Sequence, residues 1–360
     1  MKKNLIKKTA VSALKAPLLQ PFRTALGEHS SLENLLFTIE LDDGTTGYGE
    51  AAIAGHITGE SVETTRKNLL SAAQDMSGKD AADYLGMSAY LHKRFEHNKA
   101  VVAAIEMALL DALGKRAGMP LWRMFGDGGV RLSTDITIVI AGLEETGDSA
   151  RAFYRQGFRA FKIKVGRDRE LDLKRVLAVK RIVRNSKIII DANQGYSCDE
   201  TLSFLRSLEK EGVQPDLIEQ PVPKEDWEGL KKVTRLSRVP VCADESCRSL
   251  SDCIRIIEEK AAHAINIKLM KSGFVQSREI AIMARAAGLD LMIGGMMETS
   301  LAMTAAAHLA VGLGTFKYVD LDTPFFMKGA VKKNPYLNSR GVYDLAKAGA
   351  GIGISPDRML

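Results

Sequence analysis

The chain has 360 residues, 46% hydrophobic and 26% charged, enough to build full cores and to exclude a disordered chain or a disulfide scaffold. Lys and Arg total 50 against 44 Asp and Glu, a net charge of +6, but the charges are interspersed rather than gathered into a basic stripe, so no nucleic-acid partner is expected. Cys198, Cys242, Cys247 and Cys253 show neither C-x-x-C spacing nor a partner set elsewhere and read as reduced intracellular thiols.

The opening MKKNLIKK has the start of a signal peptide, but Lys7, Lys8 and Lys15 interrupt any apolar core, and no run approaches the ~20 apolar residues of a spanning helix. A cytoplasmic protein with no membrane partner is therefore expected. Residues from about 4 to 55 alternate apolar and polar positions, with Asp43-Gly44 as a two-residue turn signal, and predict antiparallel sheet. Residues 60–125 change to helical periodicity: in KAVVAAIEMALLDALGKRAG apolar residues fill one face, and Gly118 is placed to end the helix. Sheet followed by helices predicts an α+β capping domain over residues 1–128, completed by the last segment, about 326–360.

From residue 129 to 325 short β-rich runs (TDITIVI, AFKIKV, KIIID, DLIE, VPVCAD, AINIK, LDLMIG, FKYVD) alternate with amphipathic helical segments. Eight such units predict an α/β fold, a (β/α)8-type barrel. The late GAGIG, Gly349 to Gly353, has no strand and helix around it and reads as a turn rather than a phosphate loop.

A barrel strand is buried on both faces, so a charged residue at its carboxyl end either belongs to an active site or needs a partner. Here they occur in series: Lys162 and Lys164 on the second strand, Asp191 on the third, Glu219 on the fourth, Asp244 on the fifth, Lys268 on the sixth, Asp320 and Asp322 on the eighth. A lone Asp after a strand is usually a helix cap or turn former, but consecutive units repeating the pattern point to one mouth. Three carboxylates from adjacent strands suit a hard divalent cation, magnesium first, and the six histidines contain no HExxH motif for zinc.

Strands two and six lie across an eight-membered ring, so a central substrate would meet an amine on each face. Lys162 and Lys164 share one side of their strand, and their mutual repulsion is expected to lower the pKa of Lys164 towards that of a usable base. A lysine pair reaching outward from an edge strand is the alternative. Asp320 and Asp322 also share a side and would receive an ammonium group, with a turn before Pro324 as the competing reading.

The two-domain plan and the segments KIKVG, DANQG, IEQPV, ADES and NIKLMKSG resemble the muconate-lactonising subgroup of the enolase superfamily over essentially the whole chain. The resemblance implies that Asp191, Glu219 and Asp244 bind one Mg2+ and that Lys164 and Lys268 are the acid and base. It implies that Lys162 supports Lys164, and that the reaction passes through an enediolate stabilised by the metal, the superfamily mechanism that general accounts of tuned acid–base sites already describe. Asp320 and Asp322 resemble the D-x-D pair by which dipeptide epimerases hold the substrate's α-ammonium. Thr137, Met297 and Gly27 join them as substrate-binding candidates. Relatives acting on Ala-Glu usually carry an arginine near position 27; Gly27 implies uncharged dipeptides, although Arg23, Glu28 or His29 could reach the same place. Glutamate-specific epimerisation, o-succinylbenzoate synthesis, N-acylamino-acid racemisation and muconate cycloisomerisation are the alternatives on this scaffold. A homo-oligomer is the expected assembly. Phe274, where the family often has a second glycine, has no functional account from sequence.

Overall fold

In the computed structural model, which describes residues 4–55 and 59–359, β1 (Ile6–Arg23), β2 (Glu28–Leu41) and β3 (Thr46–Ala51) form an antiparallel sheet in the order β1-β2-β3. The first three residues of the MKKNLIKK segment lie outside the described ones, and the segment enters β1 at Ile6. The turn after β2 is longer than the Asp43-Gly44 signal suggests. It spans residues 42–45, Leu41 N donating to Thr45 O, with Gly44 at φ +85°, a conformation that glycine adopts without steric cost. Three helices follow: α1 (Val62–Met76), α2 (Tyr84–Arg94) and α3 (Lys99–Arg116).

The expectation of a one-sided α3 is corrected. Ala100 to Ala112 are all buried, because α3 is clamped between the cap sheet and a barrel helix, and two of its buried residues are the acids Glu106 and Asp111. Its end follows the sequence signal: Gly118 sits at φ +64°, and Met119 N closes back on Gly114 O.

After β4 (Arg131–Ser133) come the eight barrel strands: β5 (Ile136–Ile138), β6 (Ala160–Lys164), β7 (Lys187–Asp191), β8 (Leu217–Glu219), β9 (Val241–Ala243), β10 (Ala264–Lys268), β11 (Asp290–Gly294) and β12 (Tyr318–Val319). They form one parallel sheet in sequential order. The helices between them are α4 (Leu143–Gln156), α5 (Arg169–Ile182), α6 (Cys198–Lys210), α7 (Trp227–Leu236), α8 (Leu250–Glu259), α9 (Leu269–Ala286) and α10 (Ser300–Leu313). After β12 the chain makes a 3-10 turn (Thr323–Phe326) and the short α11 (Ala330–Lys333) instead of a full eighth helix. The curled sheet is bridged at its seam, where Asp135 N donates to Val319 O at 2.8 Å and Leu321 N to Thr134 Oγ1 at 2.7 Å.

Inside the barrel, Ile189, Leu217, Cys242, Ala264, Met292 and Tyr318 form a separate apolar layer. Because alternate residues of a strand share a side, that layer places Asp191, Glu219, Asp244 and Asp320, each two residues on, at the carboxyl-end mouth above it. The cap sheet and α1 to α3 keep a core of their own, built on residues such as Phe37, Leu69 and Ile105.

Buried cap carboxylates join cap to barrel by accepting backbone N–H groups. Glu50 takes Thr299 N at 3.0 Å and Glu106 takes Val275 N at 2.9 Å, while Asp111 ties the tail to the cap by taking Ile352 N at 2.7 Å. The tail adds β13 (Val342–Asp344), paired with β4, and the GAGIG turn, with Gly351 and Gly353 at positive φ. Among the described residues no helix is long and apolar enough to cross a membrane, and all four cysteines are free.

Candidate active site

The strand-end residues converge as the sequence predicts. Lys162 reaches up from β6 to the centre of the mouth, its Nζ 2.9 Å from Asp191 Oδ2, 2.7 Å from Glu219 Oε2 and 2.8 Å from Asp320 Oδ2. Lys164 Nζ donates to Asp191 Oδ2 at 2.5 Å and to Asn193 Oδ1 at 3.0 Å. Lys268 Nζ, four strands away and so across the ring, donates to Asp244 Oδ2 at 2.7 Å. The outward-reaching alternative for the β6 lysines is thus excluded. The expected repulsion between Lys162 and Lys164 acts among carboxylates that the strand-end reading did not pair with them. Burial opposes the charge on Lys162, but Asp191, Asp320 and Glu219 outweigh it and raise its pKa well above the ordinary lysine value.

Several polar residues that the strand-end reading overlooked hold this centre in place. Buried Lys271, one turn beyond Lys268, donates to Asp244 Oδ1 and O and to Asn266 O, three acceptors for its three hydrogens. Asn266 Nδ2 donates to Glu219 Oε1 at 2.7 Å. Gln220 accepts from Asp244 N and Ser246 N and donates to Val222 O, tying the loop after β8 to that after β9. Asn193, Gln194 and Gln220 all have positive φ, strain concentrated directly behind Asp191 and Glu219. Asn193, Gln220 and Lys271 stand inside the segments DANQG, IEQPV and NIKLMKSG, so the signal was in view; Asp135 stands at the start of the quoted run TDITIVI, where it was passed over because it precedes the strand rather than ending it.

Acid outnumbers base at the mouth. At least seven buried carboxylates (Asp135, Asp191, Glu219, Asp244, Glu245, Asp320, Asp322) face four buried lysines (Lys162, Lys164, Lys268, Lys271). Burial, then the charge of Asp191, pushes Glu219 up to about 7; burial, then Asp244, does the same to Glu245. Burial raises Asp191 as well, but there Lys162 and Lys164 prevail and hold the carboxyl well below its ordinary value. Three all-oxygen donors on adjacent strands, one of them so crowded by anions, fit a divalent oxygen-seeking cation at Asp191, Glu219 and Asp244. Their oxygens are drawn onto the lysines here; among the described residues it is Asp135, Asp320 and Asp322 that each bring one oxygen to within 4.8 Å of the others.

Above this layer is a cavity between cap and barrel. Lys164, Lys268, Asp320, Asp322, Thr137 and Met297 all line it, with Phe22, Leu32, Ile53 and Met296 as apolar walls. Thr137 N donates to Asp322 Oδ2 at 2.6 Å, and Met297 O accepts from Asn34 Nδ2, which also bonds Glu50. Gly27 is not among the lining residues; it closes the β1–β2 hairpin, its carbonyl accepting from Thr24 N. Arg23 is tied by its guanidinium to Glu28 at 2.7 Å, while Thr24 and His29 do line the cavity. Phe274 lies elsewhere, fully buried and stacked on Phe125 at 5.7 Å, so its task is packing.

Two lysines facing each other across a cavity, over a bed of carboxylates at the mouth of a capped barrel, define an acid–base enzyme of the metal-assisted kind. The chain belongs to the mandelate racemase and muconate lactonizing enzyme family of the enolase superfamily: residues 7–126 match its N-terminal domain and residues 145–360 match the enolase C-terminal domain-like family. It is 48% identical over 359 residues to a hydrophobic dipeptide epimerase of Citrifermentans bemidjiense, covering 98% of each chain. It is 37% identical to an aromatic dipeptide epimerase of Herpetosiphon aurantiacus, covering 97% of this chain and 99% of the other. The crystal structure of a dipeptide epimerase from Enterococcus faecalis V583, complexed with Mg and L-Leu-L-Tyr, superposes with a TM-score of 0.92 at 32% identity, covering 98% of this chain and 99% of the other.

Proposed function

We propose that this chain is a magnesium-dependent epimerase of dipeptides with uncharged side chains, inverting the α-carbon of the C-terminal residue. The observation that carries the reading is the pair Lys164 and Lys268, on strands across the ring from each other and lining one cavity with Asp320 and Asp322. Asp191, Glu219 and Asp244 would hold Mg2+, which when bound supplies the electrostatic stabilisation that a carboxylate needs while its neighbouring carbon is deprotonated.

The chain's own residues do the rest. One lysine, neutral, takes the α-proton on its side; the other, protonated, returns a proton to the opposite face, and the two exchange roles in the reverse direction. Lys162, held by three carboxylates, stays charged and braces the centre. Asp320 and Asp322 receive the dipeptide's ammonium, a charge-assisted contact that an N-acylated substrate cannot make. The walls of Phe22, Leu32, Ile53 and Met296 suit apolar side chains, and no arginine is among the described lining residues to pair a glutamate.

The test is incubation with a dipeptide library in deuterated water containing Mg2+, following deuterium uptake at the C-terminal α-carbon. Uptake by both diastereomers of free-amine apolar dipeptides, abolished by chelation and restored by Mg2+, is the expected result. Full turnover in excess chelator, or better turnover of N-acylated amino acids, would overturn the assignment.

A further inference from the structure

Asp135 precedes β5 in sequence, and its backbone N–H helps close the barrel seam, so its side chain enters the mouth between the first and last strands. It is 1% exposed, and neither carboxylate oxygen accepts a hydrogen bond among the described residues. One of its oxygens nevertheless lies within 4.8 Å of an oxygen of Asp320 and an oxygen of Asp322. Those two are partly served, Asp320 by Lys162 at 2.8 Å and Asp322 by Thr137 N at 2.6 Å. Both line the cavity, whereas Asp135 does not.

A buried carboxylate with no donor, beside two others, is the least favourable way to place this side chain. Carrying a proton, it becomes a donor next to two acceptors that each have an oxygen to spare. We propose that Asp135 is a positioning residue: it carries a proton and donates it in a hydrogen bond to the Asp320 and Asp322 pair, fixing the pair for a dipeptide ammonium without adding a third negative charge. The inference rests on the reading of that pair as the ammonium site. The charges at the mouth agree with it. A proton on Asp135 lowers by one the number of negative charges that the lysines, Mg2+ and the dipeptide ammonium must offset. Glu245 also has a bare oxygen, but its other oxygen accepts from Asn193 Nδ2 at 3.5 Å. Burial, then the charges of Asp320 and Asp322, raises the Asp135 carboxyl well above its ordinary value, against the single opposing charge of Lys162 and with Glu219 adding to the rise.

A metal ion is the competing occupant of these three acids. Against it, a backbone N–H already fills one oxygen of Asp322, and Asp135 does not line the cavity through which an ion would enter.

Two substitutions separate the readings in the full-length, Mg2+-loaded enzyme. Asp135→Asn stays neutral and still donates, whereas Asp135→Leu fills the space and cannot donate. Asp135→Leu is expected to raise KM for free-amine dipeptides tenfold or more with a smaller change in kcat, and Asp135→Asn to restore KM to within about twofold of wild type from pH 6 to 9. Infrared spectra of the substrate-free protein should show a protonated-carboxyl C=O band that Asp135→Asn removes. Asn as damaging as Leu, no such band, or a second Mg2+ per chain that Asp135→Asn abolishes would each overturn the proposal. Since the infrared band needs no turnover, absence of any dipeptide activity in the wild type would sink the functional reading while still deciding the state of Asp135.

Discussion

Lys162 gathers Asp191, Glu219 and Asp320 around one ammonium and does not line the cavity, whereas Lys164 and Lys268 do. Replacing either Lys164 or Lys268 by Ala should lower epimerisation by ~10²–10⁴-fold, the usual worth of a positioned acid or base. The residual α-proton exchange of the two variants should have opposite handedness, read by NMR on each diastereomer in deuterated water; a wild-type rate in either variant would refute the two-base scheme. Lys271 is buried and its hydrogens are all engaged around Asp244 and Asn266, so it never meets substrate. Lys271→Met should therefore weaken Mg2+ binding about 10–100-fold, as for other supports of metal ligands, with calorimetry as the measurement and an unchanged affinity as the contrary result. The strand-end charges were legible because a parallel strand writes its apolar run and its mouth residue side by side. Asp135 was not, because it stands before its strand and reaches the site through the seam, a closure between residues far apart in sequence.

At the scale of elements, α9 shows where local pattern and tertiary demand part. Gly273 interrupts the helix at φ +67° and ψ −175°, a region essentially reserved for glycine, and a Cβ there would collide with Glu106 Oε2 from the cap. Gly273→Ala should destabilise the protein by roughly 1–3 kcal/mol, visible as a lower urea midpoint; an unchanged midpoint would show that the cap can give way. The glycine was in the quoted NIKLMKSG, but its reason was not legible, since Glu106 is an acid on a helix that reads as a surface element until the barrel covers it. Phe274 is the same case, its partner Phe125 lying about 150 residues away in the chain.

Across the whole molecule, the tail links both units through His308, which is fully buried on α10. Its Nδ1 accepts from Trp122 N at 3.1 Å and its Nε2 faces Ile352 O at 3.1 Å, partners that select the neutral ring with hydrogen on Nε2. Burial lowers its pKa from 6.5 to about 4. A depressed folded-state value means that the unfolded chain takes the proton first. The stabilisation is therefore complete above pH 6.5 and is lost as pH falls towards 4, roughly 3 kcal/mol in all. Urea midpoints measured from pH 7 to 4 should fall more steeply for wild type than for His308→Gln, and parallel curves would discount the histidine. The hairpin that carries Gly27 has a different consequence. It springs from the cap sheet, the chemistry springs from barrel strands, and a Cβ at Gly27 would meet open space. Gly27→Arg should then move the kcat/KM ratio of Ala-Glu over Ala-Leu upward about tenfold, near the ~1.5 kcal/mol of a charge-assisted hydrogen bond, with Lys164 and Lys268 exchanging protons as before. Such a layout is evolvable: mutation can explore new diets in the hairpin while the proton machinery is inherited intact.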